Sequence, residues 1–479
     1  MEGDALYFIP LGGSGEIGMN LNVYATGGKL MVVDCGITFE RRPGGQTDIL
    51  MPDPTWLYRR ADKIAGMVLT HAHEDHIGAV AAMWPKLRCP IYTTPFTATV
   101  LEAKLSQARM LSAVTIHRVR PGGAATVGPF GIRFLGITHS TAESQSIVID
   151  TDHGRILHTG DWKLDPGPMV GPPTDAAAFR ALGDAGGVLA VVSDSTNAHK
   201  PGRSRSEQVV RSSLLDVCSG EKGRLLSACF ASNIARVQTL CTVAEAHGRH
   251  PILMGRSLHR MVTAARASGY LSPHTSFVPA EHAGYLPRER VMLICTGTQG
   301  EPRAAMSRLA MDRYRHMMLD PGDKAVFSSK IIPGNEKPIA WLHGRLTEMG
   351  VDVVSEEKVP EIHCSGHPCR EELAELYDWV KPRHVIPVHG TPFHMDAHAD
   401  LARQVGLNDV QVRNGDVLQL APGDPKVIDR VRAGRVPRPD VESDEHFRQL
   451  QGDKRPRTKR PPKKKKRPSG GFRSRERRR

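Results

Sequence analysis

Four histidine and aspartate side chains able to ligate a metal stand within six residues, His71-Ala72-His73-Glu74-Asp75-His76. They lie between the apolar run Gly66-Met-Val-Leu-Thr70 and the helix-like stretch Ile77-Gly-Ala-Val-Ala-Ala-Met-Trp84. In an extended segment alternate residues share a face, so His71 and His73 reach one ion. Asp75 and His76, in the first turn of the following helix, reach a neighbouring one. The spacing therefore predicts a dinuclear site at a strand-to-helix junction.

Such a site needs more ligands, and the chain offers them singly. His139 follows the strand-like run that ends in Gly136-Ile-Thr, Asp161 follows Leu157-His-Thr-Gly160, and His389 follows Val385-Ile-Pro-Val. Each lies at a strand terminus, where a loop can aim it into a shared cleft. One attractive motif points elsewhere. Gly13-Ser-Gly15-Glu-Ile-Gly18 satisfies G-x-G-x-x-G after the strand-like Leu6-Tyr-Phe-Ile, but a dinucleotide fold requires a helix next. The chain continues instead as an alternating hairpin, Leu21–Ala25 and Lys29–Asp34 about a Gly27-Gly28 turn.

The series His71-x-His73-x-Asp75-His76, His139, Asp161 and His389 resembles the metallo-β-lactamase superfamily. Further motifs narrow the resemblance: Ser193-Asp-Ser-Thr-Asn197, Phe230-Ala-Ser-Asn-Ile-Ala-Arg-Val-Gln238, Thr296-Gly-Thr-Gln-Gly-Glu-Pro302, Ile332-Pro-Gly-Asn-Glu336 and His363-Cys-Ser-Gly-His367. These are similar to the motifs of β-CASP nucleases, most closely the ribonuclease J family, and the match runs in order from about residue 6 to about residue 435. The resemblance implies an α/β architecture: a metallo-β-lactamase αββα sandwich with an inserted β-CASP α/β domain and a disordered basic C-terminal tail. Residues 1–203 form the first part of the sandwich, 204–355 the insert, 356–437 the completing part and 438–479 the tail. The Gly13–Gly18 turn falls near the metal cleft, where that family carries the same glutamate-bearing turn. The resemblance also implies a further folded C-terminal domain, where this sequence is expected to run into the tail, so a homodimer or homotetramer is left open.

Composition agrees. At 479 residues two or three units are expected. Eight cysteines, none in a Cys-x-x-Cys pair, fit a reduced, cytoplasmic chain and argue against a zinc-thiolate ribbon. No basic, apolar leader and no run of eighteen apolar residues occurs, so neither export nor a membrane span is indicated. Residues 453–479 hold 15 Lys and Arg against Asp453 and Glu476, while the rest of the chain balances 49 bases with 49 acids, so the whole net charge of +13 lies in the tail. Nearly devoid of apolar side chains, the tail is expected to be disordered and to bind nucleic acid, because each phosphate neutralised releases counterions.

Within this frame, His71, His73 and His139 are assigned to one ion and Asp75, His76 and His389 to the other, with the two oxygens of Asp161 bridging. The nitrogen and oxygen donor set suits two Zn2+ ions, with Mn2+ or Mg2+ as alternatives. Asp194, His367 and Asp75 are the candidate catalytic residues: Asp194 orients a ligand histidine and moves a proton, and His367 binds the scissile phosphate and protonates the leaving 3′ oxygen. Ser232, Asn233, His363 and Ser365 are the candidate phosphate-binding residues, since the family senses a 5′ monophosphate there. The expected function is a metal-dependent 5′-to-3′ exoribonuclease acting on single-stranded, 5′-monophosphorylated RNA, with endonuclease action when RNA threads the cleft. A histidine at 389, where the DNA-repair branch typically has valine, leans toward RNA. The alternatives are a DNA-directed β-CASP nuclease, a small-molecule metallo-hydrolase and a non-catalytic RNA-binding subunit. The long insert disfavours the second, and the intact ligand set disfavours the third.

Overall fold

The computed structural model describes residues 4–42, 47–314 and 317–439. Strands Leu6–Gly12, Leu21–Thr26, Lys29–Val33, Ile64–Val68, Ile91–Thr93 and Ile116–Arg118 form one sheet, extended beyond Leu6–Gly12 by Asp416–Ala421 and Lys426–Arg430. Ala124–Val127, Phe130–Gly136, Gln145–Thr151, Gly154–His158 and Val188–Asp194 form a second, completed by Pro382–Val388 and Asn408–Asp409. The chain thus leaves both sheets after Asp194 and returns to both after residue 381.

Period-two alternation explains the layering. Leu6, Phe8, Met31 and Val33 of the first sheet pack against Phe130, Ile132, Ile147, Ile149 and Val192 of the second, making the core between sheets. The intervening residues face outward and are also covered: Tyr7, Ile9 and Val32 join Val80, Met83 and Trp84. On the opposite side Val148, Val191 and Val385 join Phe179, Leu376 and Leu401. Helices therefore flank both sheets, and strands such as Leu6-Tyr-Phe-Ile-Pro-Leu-Gly12 are buried throughout, as a sheet covered on both faces requires. This is the four-layer α/β/β/α sandwich expected from the resemblance.

Between the two visits lies a five-stranded parallel sheet made of Leu225–Ala228, His250–Met254, Val291–Cys295, Lys324–Phe327 and Asp352–Ser355. Leu226, Ile252, Leu293 and Phe327 pack under Met306 and Leu342, while the alternate residues Leu225, Leu253 and Ile294 pack with Val237, Leu240 and Leu258 on the other face. The helix Arg256–Ala267 of this unit also lies against Pro95–Gln107 of the sandwich.

Three local expectations meet the structure differently. Gly27 and Gly28 both take positive φ, 54° and 71°, and close the Leu21–Val33 hairpin as read from sequence. The stretch after His76 is not one helix: Glu74–Ile77 and Val80–Leu87 are separate, because the Ala79 N–H is diverted to the Cys35 carbonyl at 2.9 Å. The sequence Gln411-Val-Arg-Asn-Gly-Asp-Val-Leu-Gln-Leu420 reads as strand-like, and it is a strand only from Asp416. Asn414 instead turns back to accept from the Ser14 N–H at 2.9 Å and to donate to Glu16 at 2.5 Å, while the Gly415 N–H bonds the Pro10 carbonyl at 2.7 Å. The Gly13–Gly18 turn is thereby fixed beside the strand end that carries His389, whose N–H donates to the Gly13 carbonyl at 2.6 Å. Of the tail expected to be disordered over 438–479, Arg438 is tied to the fold by its N–H, which donates to the Ile49 carbonyl at 2.8 Å, and residues from 440 on lie outside the described residues. Among the described residues no helix is long and apolar enough to cross a membrane.

Candidate metal centre

Strand ends build the site. The run that holds His71, His73, Asp75 and His76 leaves Ile64–Val68 and enters the helix Glu74–Ile77, and His139 follows Phe130–Gly136. Asp161 follows Gly154–His158, Asp194 closes Val188–Asp194, and His389 follows Pro382–Val388 at a left-handed φ of 51°. His367 arrives on the segment that leads back from the parallel sheet into the helix Arg370–Val380. Residues from six places in the sequence thus meet at one edge of the sandwich.

Three donor groups result among the described residues, and two of them hold the expected ligands, the third joining Asp161 and His389 to Asp194 and His367. His71 Nε2 and His139 Nε2 each lie 3.1 Å from His73 Nδ1, and Asp161 Oδ2 is 4.0 and 3.9 Å from the same two Nε2 atoms. Nitrogens bound at about 2.05 Å to a tetrahedral ion stand roughly 3.3 Å apart, so this spacing suits ligands of one metal. In the second group His76 Nε2 is 3.2 Å from Asp161 Oδ2 and 3.5 Å from Asp75 Oδ2, and His389 Nε2 is 3.2 Å from Asp75 Oδ2. Asp161 belongs to both groups. The expectation of one Asp161 oxygen for each ion gives way to a different geometry: a single oxygen, Oδ2, faces both groups, whereas Oδ1 looks toward His389 Nδ1 at 3.7 Å.

The nitrogens that face away are fixed by the protein, and two carboxylates do most of this. Asp34 Oδ2 accepts directly from His76 Nδ1 at 2.7 Å. It also reaches His71 through Thr70, whose hydroxyl donates to Asp34 Oδ2 at 2.9 Å and accepts from His71 Nδ1 at 3.0 Å. Asp194 repeats the pattern in the other sheet. Its Oδ2 accepts from His367 Nδ1 at 2.7 Å, and its Oδ1 accepts from the Thr196 hydroxyl at 2.7 Å, which in turn accepts from His389 Nδ1 at 2.8 Å. His139 Nδ1 donates to the Gly366 carbonyl at 2.6 Å; a Cβ at Gly366 would come within 2.7 Å of the imidazole, so only glycine lets that backbone approach. Second partners of this kind set each imidazole's tautomer and orientation and leave the inward nitrogen free to ligate.

Electrostatics fit a cation. Burial, reinforced by neighbouring imidazoles, holds His71 and His139 well below the usual histidine range, and burial takes His73 down to about 4, so all three are neutral donors. Burial also lowers His76 and His389, but the carboxylates around them, Asp161 foremost, prevail and raise both. For Asp75 and Asp194 burial pushes upward, and the adjacent imidazoles of His76 and His367 outweigh it, leaving the carboxyls ionised. Among the described residues, the ion-pair partners of Asp75, Asp161 and Asp194 are all imidazoles. Buried carboxylates of this number call for added positive charge, which divalent ions supply.

His367 sits over the two groups, its ring stacked on His389 at 5.5 Å and edge-on to His139 at 5.3 Å, with 23 % of its side chain exposed. The residues read as phosphate-binding divide. Ser365 Oγ accepts from Asn197 Nδ2 at 2.8 Å, which ties it to the Asp194 loop. His363 is largely buried with Nδ1 unpartnered. Ser232 is half-buried at the start of the helix Ile234–Ala246. Asn233 differs: its side-chain carbonyl caps that helix by accepting from the Arg236 N–H at 2.9 Å, and its amide faces Glu207 at 3.4 Å. Both its polar groups are engaged within the fold. Sequence reading gave no role to Asp34, Thr70 or Thr196. For Asp34 and Thr70 the signal was position, an acid closing an apolar strand and a threonine directly before His71; Thr196 stands inside the Ser193–Asn197 motif.

Comparison with known proteins agrees in order along the chain. A beta-lactamase superfamily domain matches residues 30–181, the ribonuclease J beta-CASP domain matches 222–346, and a Zn-dependent metallo-hydrolase RNA specificity domain matches 353–413. The chain is 42% identical over 440 residues to ribonuclease J of Sinorhizobium meliloti, covering 91% of this chain and 78% of that protein. It is 39% identical over 432 residues to ribonuclease J of Mycolicibacterium smegmatis, covering 89% and 76%. Ribonuclease J 1 of Streptococcus pyogenes is 36% identical over 414 residues, covering 86% and 73%. In fold alone, a protein of unknown function from Enterococcus faecalis is similar at a TM-score of 0.58 and 15% identity, over 88% of this chain and 100% of that one. The chain belongs to the ribonuclease J family, joining a metallo-β-lactamase domain to a β-CASP domain.

Proposed function

We propose that the protein is a metal-dependent ribonuclease that hydrolyses RNA phosphodiesters, working 5′ to 3′ from monophosphorylated ends and cutting internally where RNA threads the cleft. The observation that carries this reading is the pair of donor groups sharing Asp161 Oδ2, placed beneath the Asp194–His367 pair where the β-CASP segment returns to the sandwich. His71, His73 and His139 would hold one ion and Asp75, His76 and His389 the second, with Asp161 common to both. Zinc suits this donor set. Bound there, two such ions supply a water nucleophile at neutral pH and positive charge against the scissile phosphate.

The chain's own groups do the rest. Asp194 fixes His367 Nδ1, which leaves Nε2 to donate to the phosphate and then to the departing 3′ oxygen. Through Thr196 the same carboxylate orients His389, so one residue couples ligand geometry to the proton donor. Ser232, His363 and Ser365 would receive the 5′-terminal phosphate, with Asn233 setting the helix that presents Ser232. With domain limits at 1–203, 204–355 and 356–437, the cleft would lie between sandwich and insert, and the basic tail would hold RNA without regard to sequence. The reading is tested by metal analysis together with digestion of end-labelled RNA carrying a 5′ monophosphate, triphosphate or hydroxyl. Mononucleotide release that is fastest from monophosphate ends is expected. No hydrolysis by protein carrying two metals would reject it.

A further inference from the structure

Above the metal groups, a rim of rings and ammonium groups remains that the proposed chemistry does not use. Phe393 is 63% exposed. Its ring lies 5.3 Å from His199 and 5.4 Å from His394, and the two imidazoles are 5.1 Å apart, so three rings form one cluster. The cluster is anchored to the site. His394 accepts from the Thr391 hydroxyl at 2.7 Å and packs against Gly390, next to His389, while His199 is three residues from Thr196. An exposed aromatic ring contributes little to the fold here, and His199 Nδ1 has no partner.

Beside these rings Lys200 and Lys330 lie near one another: burial and then the Lys330 charge hold the Lys200 ammonium below the usual lysine range, and both charges also act on His199. Lys200 belongs to the sandwich and Lys330 follows the strand Lys324–Phe327 of the inserted sheet, so the pair draws one cation from each unit. Two cations near one another repel unless an anion lies between them. The combination of an exposed π face and a doubly basic notch fits a nucleotide: base on ring, phosphate on lysines.

We propose that this rim is a nucleotide-positioning site, in which Phe393 stacks one base of single-stranded RNA and Lys200 and Lys330, one from each unit, hold the phosphate beside it. The inference rests on the ribonuclease reading for its ligand. Stopped-flow fluorescence of the metal-loaded full chain with 5′-monophosphorylated RNA containing 2-aminopurine reads binding ahead of hydrolysis. The unsubstituted protein quenches the probe. Phe393→Ala binds about tenfold more weakly with the quench lost, and Phe393→Tyr restores both, as stacking predicts. Lys200→Ala and Lys330→Ala each lower the slope of log affinity against log salt by about 0.7, the value for one phosphate contact on a single strand. Equal affinity and quench in Phe393→Ala, or an unchanged slope in both lysine variants, overturns the site even if RNA is hydrolysed normally. Binding and quenching without any hydrolysis would instead fault the ribonuclease reading and leave the rim standing.

Discussion

Asp34 and Asp194 perform similar tasks from opposite sheets: each takes one imidazole directly and reaches a second through a threonine hydroxyl, to which Asp194 adds a direct 3.3 Å contact with His389 Nδ1. This makes Asp34 the residue whose chemistry is most separable from ligation itself. In Asp34→Asn the side-chain carbonyl can still accept from the Thr70 N–H, now 2.8 Å from Asp34 Oδ1. The new amide, however, would present N–H to His76 Nδ1, which forces the proton onto Nε2, the nitrogen that faces Asp161. Metal retention should fall about ten- to a hundredfold, the usual cost of losing such a support. Dialysis against graded chelator followed by metal analysis checks this, and metal content equal to the unsubstituted protein would refute it. His76→Ala removes the donor itself, so it should lose metal outright and lower activity by several orders of magnitude while remaining folded. The contrast also marks what the sequence could convey. His71 to His76 are legible because their partners are neighbours in the chain. Asp34 is not, since a lone acid after an apolar strand is ordinarily a turn residue and His76 is its partner only through the sheet.

Between elements, the least legible feature is the buried ionic cluster that locks the insert to the sandwich. Arg236, on Ile234–Ala246, donates to Glu207, on Glu207–Val217, at 3.1 Å, and to the carbonyls of Ser328 at 2.9 Å and Ile362 at 3.2 Å; its side chain is 0% exposed. Lys163 pairs with Asp165 at 2.9 Å, and Asp165 in turn accepts from the Ser206 hydroxyl at 2.6 Å and the Glu207 N–H at 2.9 Å. A helix, the loop after Asp161 and the segment leading to His363 are thus tied through charges that no local spacing announces. Burial pushes the Glu207 carboxyl up, but Arg236 and Lys163 outweigh it and hold it below its ordinary value. A carboxyl lowered on folding contributes stability that is complete above its unfolded value near 4.3 and is lost as pH falls below that through the folded value. Glu207→Gln leaves Arg236 buried without its counter-charge. At pH 7 it should cost about 3–5 kcal/mol, and the gap to the unsubstituted protein should narrow as pH drops below about 4.3. Urea unfolding of the metal-free forms across pH 3–7 measures both effects, and a gap that stays constant with pH would deny the pair its role.

At the scale of the molecule, the architecture was legible because ligand motifs and apolar strands recur in a fixed order, and because a strand buried on both faces reads as an unbroken apolar run. What the order could not give was how the chain re-enters both sheets after residue 381, which depends on pairings such as Val188 with Pro382 and Leu6 with Ala421 across long stretches of sequence. Charge, by contrast, is readable without any fold. The 15 basic residues of 453–479 carry all the excess, while every proposed ligand and proton-transfer residue precedes residue 390. Deleting 453–479 should therefore weaken RNA binding and flatten its salt dependence, by up to a slope of about 10 if all those bases meet phosphate. Turnover on saturating short RNA should stay the same, because the donor groups and the Asp194–His367 pair are untouched. Affinity at several salt concentrations and kcat on a short 5′-monophosphorylated oligomer, for full-length and truncated protein, separate the two roles. An unchanged slope would assign RNA holding to the folded domains, where Lys200 and Lys330 already offer a phosphate contact. A collapsed kcat with normal metal content would mean that the basic segment reaches back into the cleft and takes part in turnover itself.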